Sequence, residues 1–181
     1  QSAAPFSVTG GGGNTKVGGE SVCFLCANRN KRSIALDLKS PKGNEIALEL
    51  MKNADLVMEN FRTGIKDKLD LGWLVAREHN PQLIFASASG WGYSGPYAAR
   101  PGQDLLIQAR SGMMKITGTE GMPAVPTGVS AADHHGRMIF SAAILAALVR
   151  QGRTGEGARV EVDLMSAALH LQQESLVAHV N

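Results

Sequence analysis

Two cysteines in 181 residues are too few for a disulfide framework. Cys23 and Cys26 form a lone Cys-x-x-Cys, and the nearest histidine, His79, has no His or Cys beside it. That leaves zinc short of two ligands, so no metal is expected. A reducing, cytoplasmic setting is expected instead, with both thiols packed as small apolar groups. Aromatic residues make up only 5% of the chain and do not interleave with the basic cluster Arg29, Lys31, Arg32, Lys39 and Lys42, which argues against a base-stacking platform. The net charge of +2 is likewise too small to argue for nucleic acid, and on charge alone the cluster reads first as a solvated loop and second as a phosphate contact. No apolar run reaches membrane-span length. The longest, Met138 to Val149, is interrupted by Ser141 and bounded by Arg137 and Arg150, so a buried helix and no membrane partner are expected. The opening has neither a signal-peptide pattern nor an initiator Met, so the sequence is expected to be a piece of a longer polypeptide.

What remains is an ordinary globular composition, with 44% hydrophobic and 19% charged residues, enough for one packed domain. Residues 1 to about 20 are rich in Gly, Ser and Thr and read as loop. The run Gly10-Gly11-Gly12-Gly13 lacks the Gly-Lys-Ser/Thr that would make it a phosphate loop. From Ser33 the pattern becomes regular. Ile34-Ala35-Leu36-Asp37-Leu38 alternates like a strand, and Ser40-Pro41 supplies a cap and a first-turn proline for a helix to about Asn53. A strand over 55–60 and helical material over 64–79, broken near Gly72 and closed at Asn80-Pro81, follow. Next come a strand over 83–87, a helix from about His135 to Arg150 with its end marked by Gly152 and Gly155, a strand over 159–164, and a last helix from Met165 towards Val180. Short apolar strands separated by helices predict an α/β fold, a Rossmann-like parallel sheet with flanking helices.

In such sheets ligands gather at the carboxyl ends of the strands. That rule points to Asn60-Phe61-Arg62 and to Ser87 through Gly92, with the Pro- and Gly-containing loop from Gly90 to Gly102 as a wall. Asp133 follows the small-residue run Thr127 to Ala132 and precedes the apolar helix. On position alone the better reading is a helix cap. The same position also keeps a carboxylate ionised and aimed outward, as a nucleophile requires.

The segments Asn28 to Lys39, Glu59-Asn60-Phe61-Arg62-Thr63-Gly64, Gly90-Trp91-Gly92-Tyr93-Ser94-Gly95-Pro96, Pro101 to Ala109, Ser111 to Gly118, and Gly152 to Gly157 leading into Val160-Glu161-Val162-Asp163-Leu164 occur in an order that resembles the family III CoA-transferases. This family also contains the α-methylacyl-CoA racemases. The resemblance implies an acyl-CoA enzyme that uses coenzyme A as acyl carrier and a carboxylic acid as acceptor. It further implies a homodimer whose two chains interlock like links, of which this is a partial chain: residues 28–181 as the large-domain core and residues 1–27 as a glycine-rich loop segment. It places the nucleophile on Asp133. Contacts to CoA fall on Leu36, Asp37, Leu38, Lys39, Asn60, Phe61, Arg62, Lys68, Gln103 and Asp104, with Lys68 where the family commonly has arginine.

In the racemases the aspartate pairs with a histidine at the position of Gln103, and an amide has no usable pKa for proton exchange. Transfer is therefore the expected reaction. A racemase or other CoA-linked isomerase, and a truncated non-catalytic CoA-binding homologue, are its rivals. Backbone N–H groups near Gly136 are expected to serve the oxyanion, and no role is assigned to His134 or His135.

Overall fold

From residue 16, the first of residues 16–180 that the computed structural model describes, a short antiparallel hairpin pairs β1 (Lys16–Val17) with β2 (Glu20–Ser21) and leads into helix α1 (Val22–Ala27). The Gly10–Gly13 run lies outside the described residues. Ser21 caps α1, its hydroxyl accepting the Phe24 N–H at 3.1 Å. Both Cys23 and Cys26 lie exposed on α1, which has no buried residue, so the expectation that they pack as apolar groups is corrected. Six residues make too short a helix to present a face that a core could cover.

The strand expected over Ile34–Leu38 does not form. Alternation supplies a strand-like face, but the ladder needs a neighbour, and none lies beside it among the described residues. The segment instead turns at Asp37, whose carboxylate accepts the Lys39 N–H at 3.0 Å and whose carbonyl accepts the Ser40 hydroxyl at 2.8 Å. That turn delivers Ser40 to cap α2 (Pro41–Lys52) through the Gly43 N–H at 3.1 Å.

Then follow β3 (Leu56–Glu59), α3 (Ile65–Lys68), α4 (Trp73–His79) and β4 (Ile84–Ser89), with the chain broken around Gly72 and turned at Asn80-Pro81 as the sequence predicts. Next come α5 (Asp104–Arg110), α6 (Met113–Ile116), α7 (Ala131–Thr154), β5 (Ala158–Asp163), α8 (Leu164–Leu171) and α9 (Gln173–Val180). Strands β3, β4 and β5 form one parallel sheet in that order, Leu56 beside Ile84 and Ile84 beside Ala158. Central β4 is buried almost throughout because helices cover both faces. Ile84 and Ala86 point to Ile144 and Ala147 of α7, whereas Leu83 and Phe85 point to Ala76 and Trp73 of α4 and Met51 of α2. The arrangement is Rossmann-like.

Two helices differ from expectation. The central one begins at Ala131, four residues early, and runs through Gly152 to end at Gly155 with φ 72°. Alanine is the best helix former, so Ala131-Ala132 extend the helix by a turn and place Asp133 in its first turn, with Ser130 at the cap. The last helix breaks at Gln172, whose buried amide donates to the Ser111 carbonyl at 2.9 Å and so ties the break to the end of α5.

Candidate active site

The carboxyl ends of β3, β4 and β5 open onto one cavity of about 480 Å³, where the rule for parallel sheets places a ligand. Its lining includes Asn60 to Thr63 after β3, Ala88 to Gly90 at the end of β4, and Val162 to Leu164 at the end of β5. Gly90 and Gly102 bring the two ends of the intervening loop into backbone contact. A Cβ on Gly90 would lie 2.5 Å from the Gly102 Cα, which only paired glycines permit. Trp91 Nε1 donates to the Pro101 carbonyl at 3.0 Å, closing the same loop base, and the loop lends Ala98 and Arg100 to the cavity wall.

Asp133 faces this cavity from α7, with Gly136 and Arg137 beside it. Its own N–H donates to Asp104 Oδ1 at 3.0 Å, and the other Asp104 oxygen accepts from Gln108 Nε2. Gln108 is fully buried and also donates to the Val129 carbonyl at 3.1 Å while accepting the Thr127 N–H at 3.0 Å. One amide side chain thus fixes both Asp104 and the segment that leads into Asp133. Gly136 lets α8 pack close: a Cβ there would lie 2.9 Å from Leu164 Cδ2. The Asp133 carboxyl is held above the usual carboxylate range, first by burial and then by the charge of Asp104, with Arg137 and His134 pulling the other way.

The Asn60–Thr63 part of the lining rests on a buried ion pair. Lys66, 4% exposed, places Nζ 2.6 Å from Glu59 Oε1 and 2.7 Å from Ser87 Oγ, and Tyr93 lies over the ammonium with its ring centre 4.5 Å away. The second Glu59 oxygen accepts the Phe61 N–H at 2.8 Å. Burial pushes the Glu59 carboxyl up, but the Lys66 and Ser87 hydrogen bonds, the Phe61 N–H and the Lys66 charge together hold it below its ordinary value. Burial, with the carboxylates of Glu59 and Glu161 nearby, keeps the Tyr93 phenol protonated far above its usual range.

Of the residues that the sequence nominates, Asn60, Phe61, Arg62, Gln103 and Asp133 line this one cavity. Asp104 is buried beside Asp133 and turned to the protein, whereas Leu36, Asp37, Leu38, Lys39 and Lys68 are not part of the lining. His134 and His135 do not line it either. His135 Nε2 lies 2.9 Å from His170 Nδ1 on α8, the rings stacked. Sequence reasoning placed Ser87 on the rim but gave no role to Gln108 or to the Glu59–Lys66 pair, because their partners lie 19 to 21 residues or more away or across a turn and no local pattern marks them. Among the described residues no cluster of three or more His, Cys, Asp or Glu is arranged to hold a metal ion, and no helix is long and apolar enough to cross a membrane.

Comparison with known proteins extends the match beyond the site. The chain is 39% identical over 162 residues to an acetyl-CoA:oxalate CoA-transferase of Acetobacter aceti, covering 89% of this chain and 42% of that protein. It is 38% identical to the succinyl-CoA:glutarate CoA-transferase of Homo sapiens, covering 83% and 34% respectively. A crystal structure of a CAIB/BAIF family protein from Brucella suis superposes with a TM-score of 0.82 at 36% identity, over 92% of this chain and 46% of that one. The chain therefore spans less than half the length of these relatives. A model of CoA-transferase family III matches residues 9–181, essentially the whole of the chain, which belongs to that family.

Proposed function

We propose that the complete protein is an acyl-CoA:carboxylate CoA-transferase with Asp133 as its nucleophile. The observation that carries this reading is the position of Asp133 on a ligand-sized cavity at the carboxyl ends of the strands, its carboxylate accepting no hydrogen bond from the described residues. Asp133 attacks the thioester carbonyl of an acyl-CoA, the C–S bond breaks, and an aspartyl-acyl anhydride and CoA thiolate result. The thiolate attacks the aspartyl carbonyl and expels the first carboxylate, leaving an aspartyl-CoA thioester. The acceptor carboxylate attacks that thioester to give a second anhydride, whose acyl carbonyl takes the thiolate back and frees Asp133. Each tetrahedral step needs donors for its oxyanion, and backbone N–H groups near Gly136 are suited to supply them.

Arg62, Arg100 and Arg137 on the cavity wall are cations matched to CoA phosphates or to the acceptor carboxylate. Asn60 and Phe61 offer an amide and an apolar wall for pantetheine. Leu36 to Lys39 and Lys68, away from the lining, are proposed as contacts only in the assembled protein. The acidic Asp104 acts by holding the Asp133 backbone, and Gln103 reaches the cavity as a neutral amide, which favours transfer over racemisation. Residues 28–181 are proposed as the large-domain core. An interlocked homodimer is part of the same reading, supported by apolar Met138, Leu145 and Val149 lying exposed along α7.

Hydroxylamine trapping tests the chemistry. The complete native polypeptide, incubated with a panel of acyl-CoAs, is expected to yield a hydroxamate on Asp133 by mass spectrometry. An absence of any adduct across the panel, or deuterium exchange at the α-carbon without an acceptor acid, overturns the assignment.

A further inference from the structure

We infer that the buried Glu59–Lys66 pair is a positioning device that sets the Asn60-Phe61-Arg62 rim for CoA, an inference that rests on the CoA-transferase reading. Glu59 is the last residue of β3, and its carboxylate is shared in two directions. Oε1 meets Lys66 Nζ at 2.6 Å, and Oε2 accepts the N–H of Phe61, two residues on, at 2.8 Å. Lys66 in turn donates to Ser87 of β4 at 2.7 Å, and Tyr93 from the 90–102 loop directs its hydroxyl to the same Glu59 oxygen at 3.4 Å. The rim is stitched to β4 independently by Asn60 Nδ2, which donates to the Ala88 carbonyl at 3.0 Å. Strand β3, strand β4 and the loop wall thus converge on one carboxylate, which bonds directly to the backbone of a residue that lines the cavity.

Stability alone does not account for such a pair. Desolvating two charges costs about as much as their attraction returns, and buried pairs replaced together by apolar residues of similar volume are often as stable or more so. What apolar residues cannot supply is an acceptor for the Phe61 N–H. Replacing both partners therefore separates the two roles: the fold survives and the rim loses its anchor. Neither side chain lines the cavity or touches the reacting atoms, so both are positioning residues.

The test uses the complete native polypeptide and the double variant Glu59→Met with Lys66→Met. The expected result is a cooperatively folded variant, CoA affinity by calorimetry weakened about tenfold or more, and kcat at saturating acyl-CoA within about threefold of native. A folded double variant that binds CoA as the native protein does overturns the inference, as does a loss of kcat with an unchanged KM. Native protein that fails to bind CoA sinks the transferase reading along with it, whereas native binding with an unaffected variant sinks the inference alone.

Hydrogen exchange of the native polypeptide without CoA gives an arm that needs no variant. The Phe61 amide, on a residue 41% exposed, is expected to exchange about tenfold more slowly than the Arg62 amide, which finds no acceptor among the described residues. Equal rates overturn the inference.

Discussion

Two carboxylates, Asp133 on the cavity wall and Glu59 beneath the Asn60–Thr63 segment of its lining, have opposite surroundings. Glu59 is almost wholly buried, yet Lys66, Ser87 and a backbone N–H satisfy it and hold its proton affinity down. Asp133 is half-buried and, among the described residues, has no cation within ion-pair distance, so burial first and then the charge of Asp104, which accepts its backbone N–H, push its proton affinity up. The comparison teaches that burial does not by itself make an acid reactive. A fully paired carboxylate serves as a structural anchor. One left without hydrogen-bond donors keeps its lone pairs available and is poorly stabilised as an anion, the condition of a good nucleophile.

The sharpest way to break this contrast is Asp133→Asn. Transfer should fall by on the order of 10⁴-fold or more in a steady-state assay, with no hydroxylamine-trappable ester. Stability should move the other way. Because the folded-state pKa of Asp133 is raised, its ionised form costs stability above that pKa, and the asparagine variant should melt higher at neutral pH. Glu59→Gln should do the reverse and destabilise by about 3–5 kcal/mol in denaturant titrations, since it leaves Lys66 buried and unpaired. The lowered folded-state pKa of Glu59 gives stability that is present above its unfolded value of 4.5 and lost as pH falls through the folded value. If both variants shift stability in the same direction, the contrast fails.

Gln108→Leu comes next. It strands the Thr127 N–H and frees Asp104, at a cost of about 1–3 kcal/mol, and should lower kcat with it. A variant with native stability and native kcat would show that Asp133 needs no such support. The smallest effect is a shift in the pH profile. The acid limb of kcat/KM should lie above the range of an ordinary aspartate, because the nucleophile is lost as pH falls through a raised pKa. Asp104→Asn keeps an acceptor for the Asp133 N–H and removes the charge, so the limb should move to lower pH. An unmoved limb would leave burial alone as the cause.

The parts of the site carried by short contiguous stretches were legible in the chain. Asn60-Phe61-Arg62 lies at the end of an apolar strand, where the parallel-sheet rule points to a ligand, whereas Asp133 at the start of an apolar helix reads on position alone as a cap and is singled out by the family resemblance. Ile34 to Leu38 misled as a strand because alternation describes one segment, while a strand requires a second segment beside it. Lys66 and Lys68 carry the same charge two residues apart, and on a helix that spacing turns them to different faces. One goes into the protein against Ser87 and the other to solvent, and nothing local distinguishes them.

The sequence by itself determined the three strands of the parallel sheet and the helices that separate them, the cap of α2, the break near Gly72, and the family to which the chain belongs. These depend on residues within a turn or two of one another and on motifs read in order. Only the tertiary structure decided which carboxylates are fully paired and which are left without donors among the described residues. Lys66 meets Ser87 across 21 residues, and Asp133 meets Asp104 across 29. Proton affinity is set by what surrounds a group in space, and those surroundings are assembled from distant parts of the chain.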